Sequence, residues 1–382
     1  MSDRSHSVLL MGDTLNLGGT EGQLVELARG LDRSRWRLEV ACIRAEGPLR
    51  ARLEEVGIQP WSCNGTSFTS PRLASTIFGL SRRLRALRVE LVHSFDFYSN
   101  LLALPAARLA RVPAIIASQR DLGELRPRHQ HRIHGAMLRL ATHVVVNSAA
   151  VAERLARSHA ARSGRLSVIH NGVDLRRFAP GSATGARPET VLVGSLASLR
   201  AYKGLLELVE AAAMVKPGAP HVRFAIWGEG PLRPELERHI RERGLTETVQ
   251  LAGATREPDE ALRRCQIFVH PSLSEASSNV VLEAMATGLP VVATTAGGTP
   301  ALVEHGRSGL LVEPGSPGAI ADAVLLLVRN PGLGCRLGAA ARERAVGEFG
   351  MGRMVQRFEA LYAHALGLDG RPAVGVGAVA RS

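Results

Sequence analysis

The chain has 382 residues, 45% of them hydrophobic and only 4% aromatic, which is the make-up of packed globular domains and excludes fibrous or disordered classes. Its formal charge is +12, yet all but two of its 47 basic residues are Arg, the exceptions being Lys203 and Lys216. A basic balance suits nucleic acid, anionic lipid or phosphate-bearing substrates, but no basic stretch is interleaved with aromatics, and nucleic acid is excluded as a partner.

A prior of about 150 residues per domain makes two domains, and two domains imply a cleft. Short apolar runs followed by helical periodicity recur at Ser7–Met11, Arg37–Ile43, Glu90–His93, Ala114–Ala117 and His143–Asn147. The second half repeats the alternation at Thr190–Val193, Arg223–Trp227, Val249–Leu251, Ile267–His270, Pro290–Ala293 and Gly309–Val312. Strand–helix alternation of this kind predicts α/β architecture, here two Rossmann-like, doubly wound domains facing a cleft. The small and turn-forming residues from Ala179 to Pro188 mark a linker. We therefore expect an N-terminal domain over 1–180 and a C-terminal domain over 181–349. A helix at about 350–366 should pack back on the first domain, and the Gly- and Ala-rich end, 367–382, should be disordered.

The cysteines Cys42, Cys63, Cys265 and Cys335 have neither metal-ligand spacing nor the density of a disulfide framework. No run reaches the ~18 apolar residues of a membrane span, and the N-terminus lacks a signal-peptide pattern. A reduced, cytoplasmic protein is expected, one that at most rests on the inner face of a membrane.

Candidate chemistry follows the strands. After the first of them, Gly18 and Gly19 let the backbone approach a ligand closely, although an ordinary tight turn has the same composition. His93 ends a strand and is either a site residue or a satisfied packing residue. The segment Arg126 to Arg139 sets Arg and His among Ile133, Met137, Leu138 and Leu140 at helical spacing, which makes it a candidate for contact with anionic membrane; the plainer reading is a solvated face. Trp227-Gly228-Glu229-Gly230-Pro231 ends a strand in a Gly-rich turn too short to be a dinucleotide fingerprint.

Further on, Glu275 and Glu283 bracket Ala-Ser-Ser-Asn-Val-Val-Leu, with a helix expected from about Ser278 to Thr287 after the strand ending at His270-Pro271. Ser277, Ser278 and Asn279 suit capping, and the free N–H groups and dipole of that helix end make an anion site fit for a diphosphate. The two carboxylates flank that site and are natural partners for sugar hydroxyls. No Asp-x-Asp occurs, so basic side chains and a helix dipole are expected to replace a metal at the phosphates.

The stretch from Phe268 to Thr294, continuing through Gly297-Gly298-Thr299-Pro300 and Gly309-Leu-Leu-Val312, resembles the retaining glycosyltransferases of the GT-B fold, family four. The resemblance extends from Gly18-Gly19-Thr20-Glu21 through Asn171-Gly172-Val173-Asp174 to about Arg344. It implies transfer of a sugar from a nucleotide-diphosphate donor, a co-substrate rather than a cofactor, to a hydroxyl of a glycan, lipid-linked or small-molecule acceptor. It implies Glu275 near the reacting carbon, Glu283 on the ribose, and backbone N–H groups of Ser278, Asn279 and Val280 on the diphosphate. Gly194 to Gly204 looks like the family's basic phosphate clamp, with Lys203 in place and Arg200 offered as the second charge, since Ser198 stands where many members have Arg. The resemblance sets Gly228, Ala254 and Thr255 around the base, and Gly18 and Gly19 toward the donor. Where many members carry a His near the sugar, this chain has Ile115-Ile-Ala-Ser-Gln-Arg-Asp121, leaving Arg120 and Asp121 as candidates for donor or acceptor binding, or as a plain surface ion pair. A nucleotide-sugar epimerase of the same fold and a non-catalytic nucleotide-sugar binder are the rival readings.

Overall fold

The computed structural model describes residues 5–63, 72–124, 126–158, 163–181 and 189–369. Most of the segment 179–188, and the tail from 370 onward, lie outside the described residues. The chain divides into two compact units, the first made of Met1–Asn171 with Met351–Ser382 and the second of Gly172–Gly350. The division thus falls at Asn171, earlier than the composition of 179–188 places it.

Unit 1 is built on seven parallel strands, β1 (His6–Gly12), β2 (Trp36–Cys42), β3 (Trp61–Ser62), β4 (Leu91–Phe95), β5 (Ala114–Gln119), β6 (His143–Val146) and β7 (Leu166–Val168), in the order β3-β2-β1-β4-β5-β6-β7. Strands covered by helices on both faces read as unbroken apolar runs; accordingly Val8, Leu9, Leu10 and Met11 of β1 are all fully buried. The order reverses between β1 and β4, where Met11 pairs with Ser94, and ligands of doubly wound sheets collect at the carboxyl ends of strands at such a switch.

The helix Met351–Ala365 belongs to this unit, although it follows everything in unit 2. Its Met354, Val355, Phe358, Leu361 and Tyr362 enter one core with Val8, Leu10, Trp36 and Phe95. The Trp36 indole donates to Glu359 at 3.1 Å, and Tyr362 Oη lies 2.6 Å from His93 Nδ1.

Unit 2 has six parallel strands, β8 (Val191–Leu196), β9 (Val222–Trp227), β10 (Val249–Gly253), β11 (Ile267–His270), β12 (Val291–Thr294) and β13 (Leu310–Val312), ordered β10-β9-β8-β11-β12-β13. One core, with Phe224, Ile226 and Leu208, covers one side of the sheet, and a second, with Phe268, Leu282 and Met285, the other. The switch falls between β8 and β11, which pair through Phe268 and Gly194, so the segments leaving those two strands converge on one edge. Among the described residues no single helix is long and apolar enough to cross a membrane.

Candidate active site

In unit 2 the site begins with a tight turn. The chain leaves β8, turns through the short 3-10 helix Ala201–Lys203 and meets Gly204 at a φ of +65°, where a Cβ would lie 1.9 Å from the Pro271 carbonyl oxygen. Only glycine tolerates both that φ and that approach. The Leu273 N–H donates to the Tyr202 carbonyl at 2.9 Å, which fastens the turn to the loop after β11. Lys203 thereby faces Glu275, and its Nζ donates to Glu275 Oε2 at 2.7 Å, with the two side chains only 17% and 14% exposed.

The last residue of β11, His270, is 1% exposed, and its Nε2 stands 3.3 Å from the same Glu275 oxygen. Burial pushes the Glu275 carboxyl upward, but the His270 ring and the Lys203 charge outweigh it and hold the group down at about 2. The backbone of Glu275 is fixed as well, its carbonyl accepting the Gly298 N–H at 3.0 Å.

The helix that follows runs over Asn279–Ala286, one residue shorter at each end than the sequence predicts. Ser278 is its cap, the hydroxyl accepting the Val281 N–H at 3.4 Å. The first-turn N–H groups of Asn279 and Val280 therefore lie at a helix end of positive dipole, four and five residues after Glu275. Half-buried Glu283 is pushed up to about 7 by burial, against the pull of Arg177 and with help from Asp259. Among the described residues its carboxylate has no hydrogen-bond partner. Arg200 caps the start of the 201–203 turn, exposed and without an ion pair among the described residues.

Beside this, Gly228 follows β9 at a φ of +151°, with space for no Cβ: one would lie 1.8 Å from the Ala197 carbonyl oxygen. Its N–H donates to Gly253 at 2.8 Å, and Ala197 N–H donates to Trp227 at 3.0 Å, so the ends of β8, β9 and β10 are tied together. Ala254 is exposed there, while the Thr255 hydroxyl accepts the Glu257 N–H at 3.0 Å, so it shapes its own loop.

In unit 1 the carboxyl edge is a cluster of ionisable groups. Gly18 caps the helix Gly19–Gly30, packed so closely that a Cβ would touch the Glu21 carboxylate at 2.2 Å. Asp13, Glu21 and Asp96 border a small cavity of about 80 Å³ with Thr14, Thr20 and Phe95. Burial, then Asp96, raises Asp13 to about 7, even though Oδ1 accepts the Ser99 N–H at 2.8 Å.

Arg120 and Asp121 do not form a surface pair with each other. Arg120 is 7% exposed and donates to Asn171 Oδ1 at 2.6 Å, and burial lowers it to about 10 against the pull of Asp96 and Glu21. Asp121 instead faces Arg126 Nη2 with both its oxygens, at 2.8 and 2.9 Å, and the same nitrogen also reaches Asp96 Oδ1 at 3.1 Å. His93 is a packing residue: fully buried between Phe95 and Phe358, it has Tyr362 on Nδ1 and Ser118 on Nε2 at 2.8 Å, and burial holds it well below its ordinary pKa.

Two family models match this chain. One described as Glycosyltransferase Family 4 covers 17–177, and one described as Glycosyl transferases group 1 covers 187–330. A D-inositol 3-phosphate glycosyltransferase of Pseudarthrobacter chlorophenolicus is 31% identical over 292 residues, covering 70% of this chain and 69% of the relative. The chain belongs to the group 1, family 4 glycosyltransferases.

Another relative of this glycosyltransferase, from Streptomyces scabiei and of the same description, is 26% identical over 87% of this chain and 83% of its own. Among solved structures, Anabaena HepE in complex with UDP-glucose matches with a TM-score of 0.83 at 23% identity over 94% of this chain and 99% of its own. The sucrose-phosphate synthase of Thermosynechococcus elongatus matches at 0.77 and 20%, over 94% and 98%. These likenesses fix the GT-B fold of the glycosyltransferase.

Of the residues read from the sequence, Lys203 and Glu275 are in direct contact, and Ser278, Asn279 and Val280 start the next helix along the same loop. Gly228, Ala254 and Thr255 lie at neighbouring strand ends of the same sheet. Gly18, Gly19, Arg120 and Asp121 belong to unit 1. Sequence reasoning missed His270, which it took only as a strand end, and Asp13, Asp96 and Arg126. The one available signal for His270 was its place at the carboxyl end of a switch-point strand.

Proposed function

We propose that this glycosyltransferase moves a sugar from a nucleoside-diphosphate donor to an acceptor hydroxyl with retention of configuration and without a divalent metal. The observation that carries the reading is the Lys203–Glu275 pair at the switch point of unit 2, one loop ahead of a Ser-capped helix end. Lys203, Arg200 and the N–H groups of Ser278, Asn279 and Val280 take the diphosphate, Glu283 the ribose, and the backbone at Gly228, Ala254 and Thr255 the base. A carboxylate near the anomeric carbon stabilises an oxocarbenium-like transition state, which is the part given to Glu275. The departing phosphate oxygen accepts the acceptor's proton on the same face. In unit 1, Gly18, Gly19, Arg120 and Asp121 serve the reacting sugar and acceptor.

The Anabaena structure holds UDP-glucose, so uridine donors come first. Unit 1 contains a cavity of about 540 Å³ whose lining includes His131, Arg132, Arg139 and Arg154. With the named relatives being D-inositol 3-phosphate glycosyltransferases, this basic lining makes a phosphorylated polyol the first acceptor class. Glycan and lipid-linked acceptors form the other arms. The helix Arg128–Leu138 exposes Ile133 beside Arg128, Arg132 and Arg139, a face we read as solvated. All four cysteines are free, which suits a reducing cytoplasm.

The test is calorimetry with UDP, GDP and ADP sugars, with Mg²⁺ and with EDTA, followed by turnover on D-inositol 3-phosphate and an acceptor panel, with the product anomer read by NMR. Binding and turnover indifferent to EDTA, with a retained anomer, is the expected result. An inverted product, a strict Mg²⁺ requirement, or no nucleotide-sugar binding each refutes the corresponding part. Conversion of donor to its epimer without acceptor moves the assignment to that rival reaction.

A further inference from the structure

Two nitrogens converge on one oxygen in unit 2. Lys203 Nζ lies 2.7 Å and His270 Nε2 3.3 Å from Glu275 Oε2, and they differ in freedom. Lys203 is a flexible cation, 17% exposed, over the Tyr202 ring at 5.2 Å. His270 is locked into β11, its side chain 2% exposed, and among the described residues neither ring nitrogen has a hydrogen-bond partner, the 3.3 Å approach of Nε2 to Glu275 Oε2 being a charge contact. Resting on the reading of Lys203 as a diphosphate ligand, the arrival of two phosphates draws that lysine away from Glu275, because a diphosphate is the denser negative charge. Glu275 then keeps one neighbour.

We propose that His270 is a positioning residue for Glu275, donating from Nε2 so that the carboxylate stays aimed and ionised when Lys203 turns to the donor's diphosphate. The titratable groups facing Glu275 are Lys203 from the 201–203 turn and His270 from β11. With the first engaged elsewhere, the second is what opposes the effect of burial on the carboxylate. A mobile lysine thus serves binding, and a buried imidazole preserves the geometry needed for reaction. The balance is one of hydrogen bonds only, since no proton leaves the imidazole during turnover.

The experiment compares His270→Phe, which keeps a ring but no donor, with His270→Gln, which keeps an N–H. Calorimetry with UDP and turnover of UDP-glucose, followed as UDP release across pH, are measured for each. In the phenylalanine variant kcat is expected to fall about ten- to a hundred-fold, the loss of one charge-assisted hydrogen bond. Its acid limb should move to higher pH while the Kd for UDP changes less than about threefold, and glutamine should restore most of the rate. Unchanged kcat in the phenylalanine variant, or equal losses in both variants with an unmoved acid limb, overturns the proposal.

Should the variants fail to fold, ¹⁵N-histidine NMR of the wild-type protein decides. An Nε2–H tautomer whose shift responds to UDP supports the proposal, and a bare Nε2 or a silent resonance overturns it. A wild-type protein that binds no nucleoside diphosphate points instead to failure of the donor-site reading, and is recognised before any variant is made.

Discussion

Glu275→Gln should have opposite effects on binding and on turnover. The substitution keeps the shape of the side chain and removes the charge that Lys203 meets at 2.7 Å. In the unliganded protein that pair must open before Lys203 can serve a phosphate, so the carboxylate competes with the donor. A charge-assisted hydrogen bond has a net worth of about 1.5–3 kcal/mol, and solvent access to one side of this pair brings it toward about 1 kcal/mol. Freed of that competition, Lys203 should bind UDP about fivefold more tightly. On the role proposed for Glu275, turnover loses the carboxylate set against the developing positive charge and should fall at least about a hundredfold. Calorimetry with UDP supplies the first number and UDP release from UDP-glucose the second. Equal weakening of UDP binding by Glu275→Gln and Lys203→Ala would mean that the two residues do not exchange partners, and the reasoning fails.

Burial raises Glu283 from 4.5 to about 7; a group whose folded pKa is raised contributes stability that is full below the unfolded value and is lost as pH rises through about 7. Glu283→Gln should accordingly be more stable than wild type at pH 8, by on the order of 3 kcal/mol, with the gap closing by pH 4; urea titrations at the two values check this, and a pH-independent difference contradicts it. Arg126 holds Asp121 and Asp96 with its own side chain 9% exposed. Arg126→Ala should cost about 1–2 kcal/mol, chiefly by stranding Asp96, since Asp121 is 47% exposed, and a fall in denaturation midpoint too small for about 0.5 kcal/mol argues against that network. Gly228→Ala forces a Cβ onto the Ala197 carbonyl, so UDP binding should weaken more than tenfold in whatever protein remains folded; wild-type calorimetry would show that this turn does not shape the base site.

The sequence made the central strands legible because parallel strands buried on both faces leave continuous apolar runs, and each of β8 to β13 overlaps a run read from the sequence, although β8 extends three residues past its run and the edge strand β10 alternates in burial. Strands β3 and β7 were missed because Trp61–Ser62 and Leu166–Val168 are two- and three-residue edge strands, half-buried, with too few side chains to carry a period. Helix Asn279–Ala286 was legible to within one residue, the difference at its start being Ser278, which caps without being helical. Lys203 and Glu275 were found separately through the family resemblance, yet nothing in the sequence says that residues 72 apart touch. His270 stayed hidden because a histidine at the end of an apolar strand has the same composition whether it packs, as His93 does, or supports a carboxylate. The grouping of Asp13, Asp96, Asp121 and Arg126 depends on strand order, which periodicity does not encode.

Because helix Met351–Ala365 completes the core of unit 1, the two units cannot mature in the order in which they are synthesised. Unit 2 is one uninterrupted stretch, Gly172–Gly350, and has all its parts as soon as that stretch clears the ribosome. Unit 1 begins first yet must wait until Met351–Ala365 has been made, with Trp36 and His93 lacking Glu359, Phe358 and Tyr362 until then. A chimera that joins one unit of this chain to the other unit of a relative therefore has two junctions, near 171 and near 350, and helix Met351–Ala365 must travel with unit 1. Joining halves at a single point would give a protein whose first unit contains a foreign last helix.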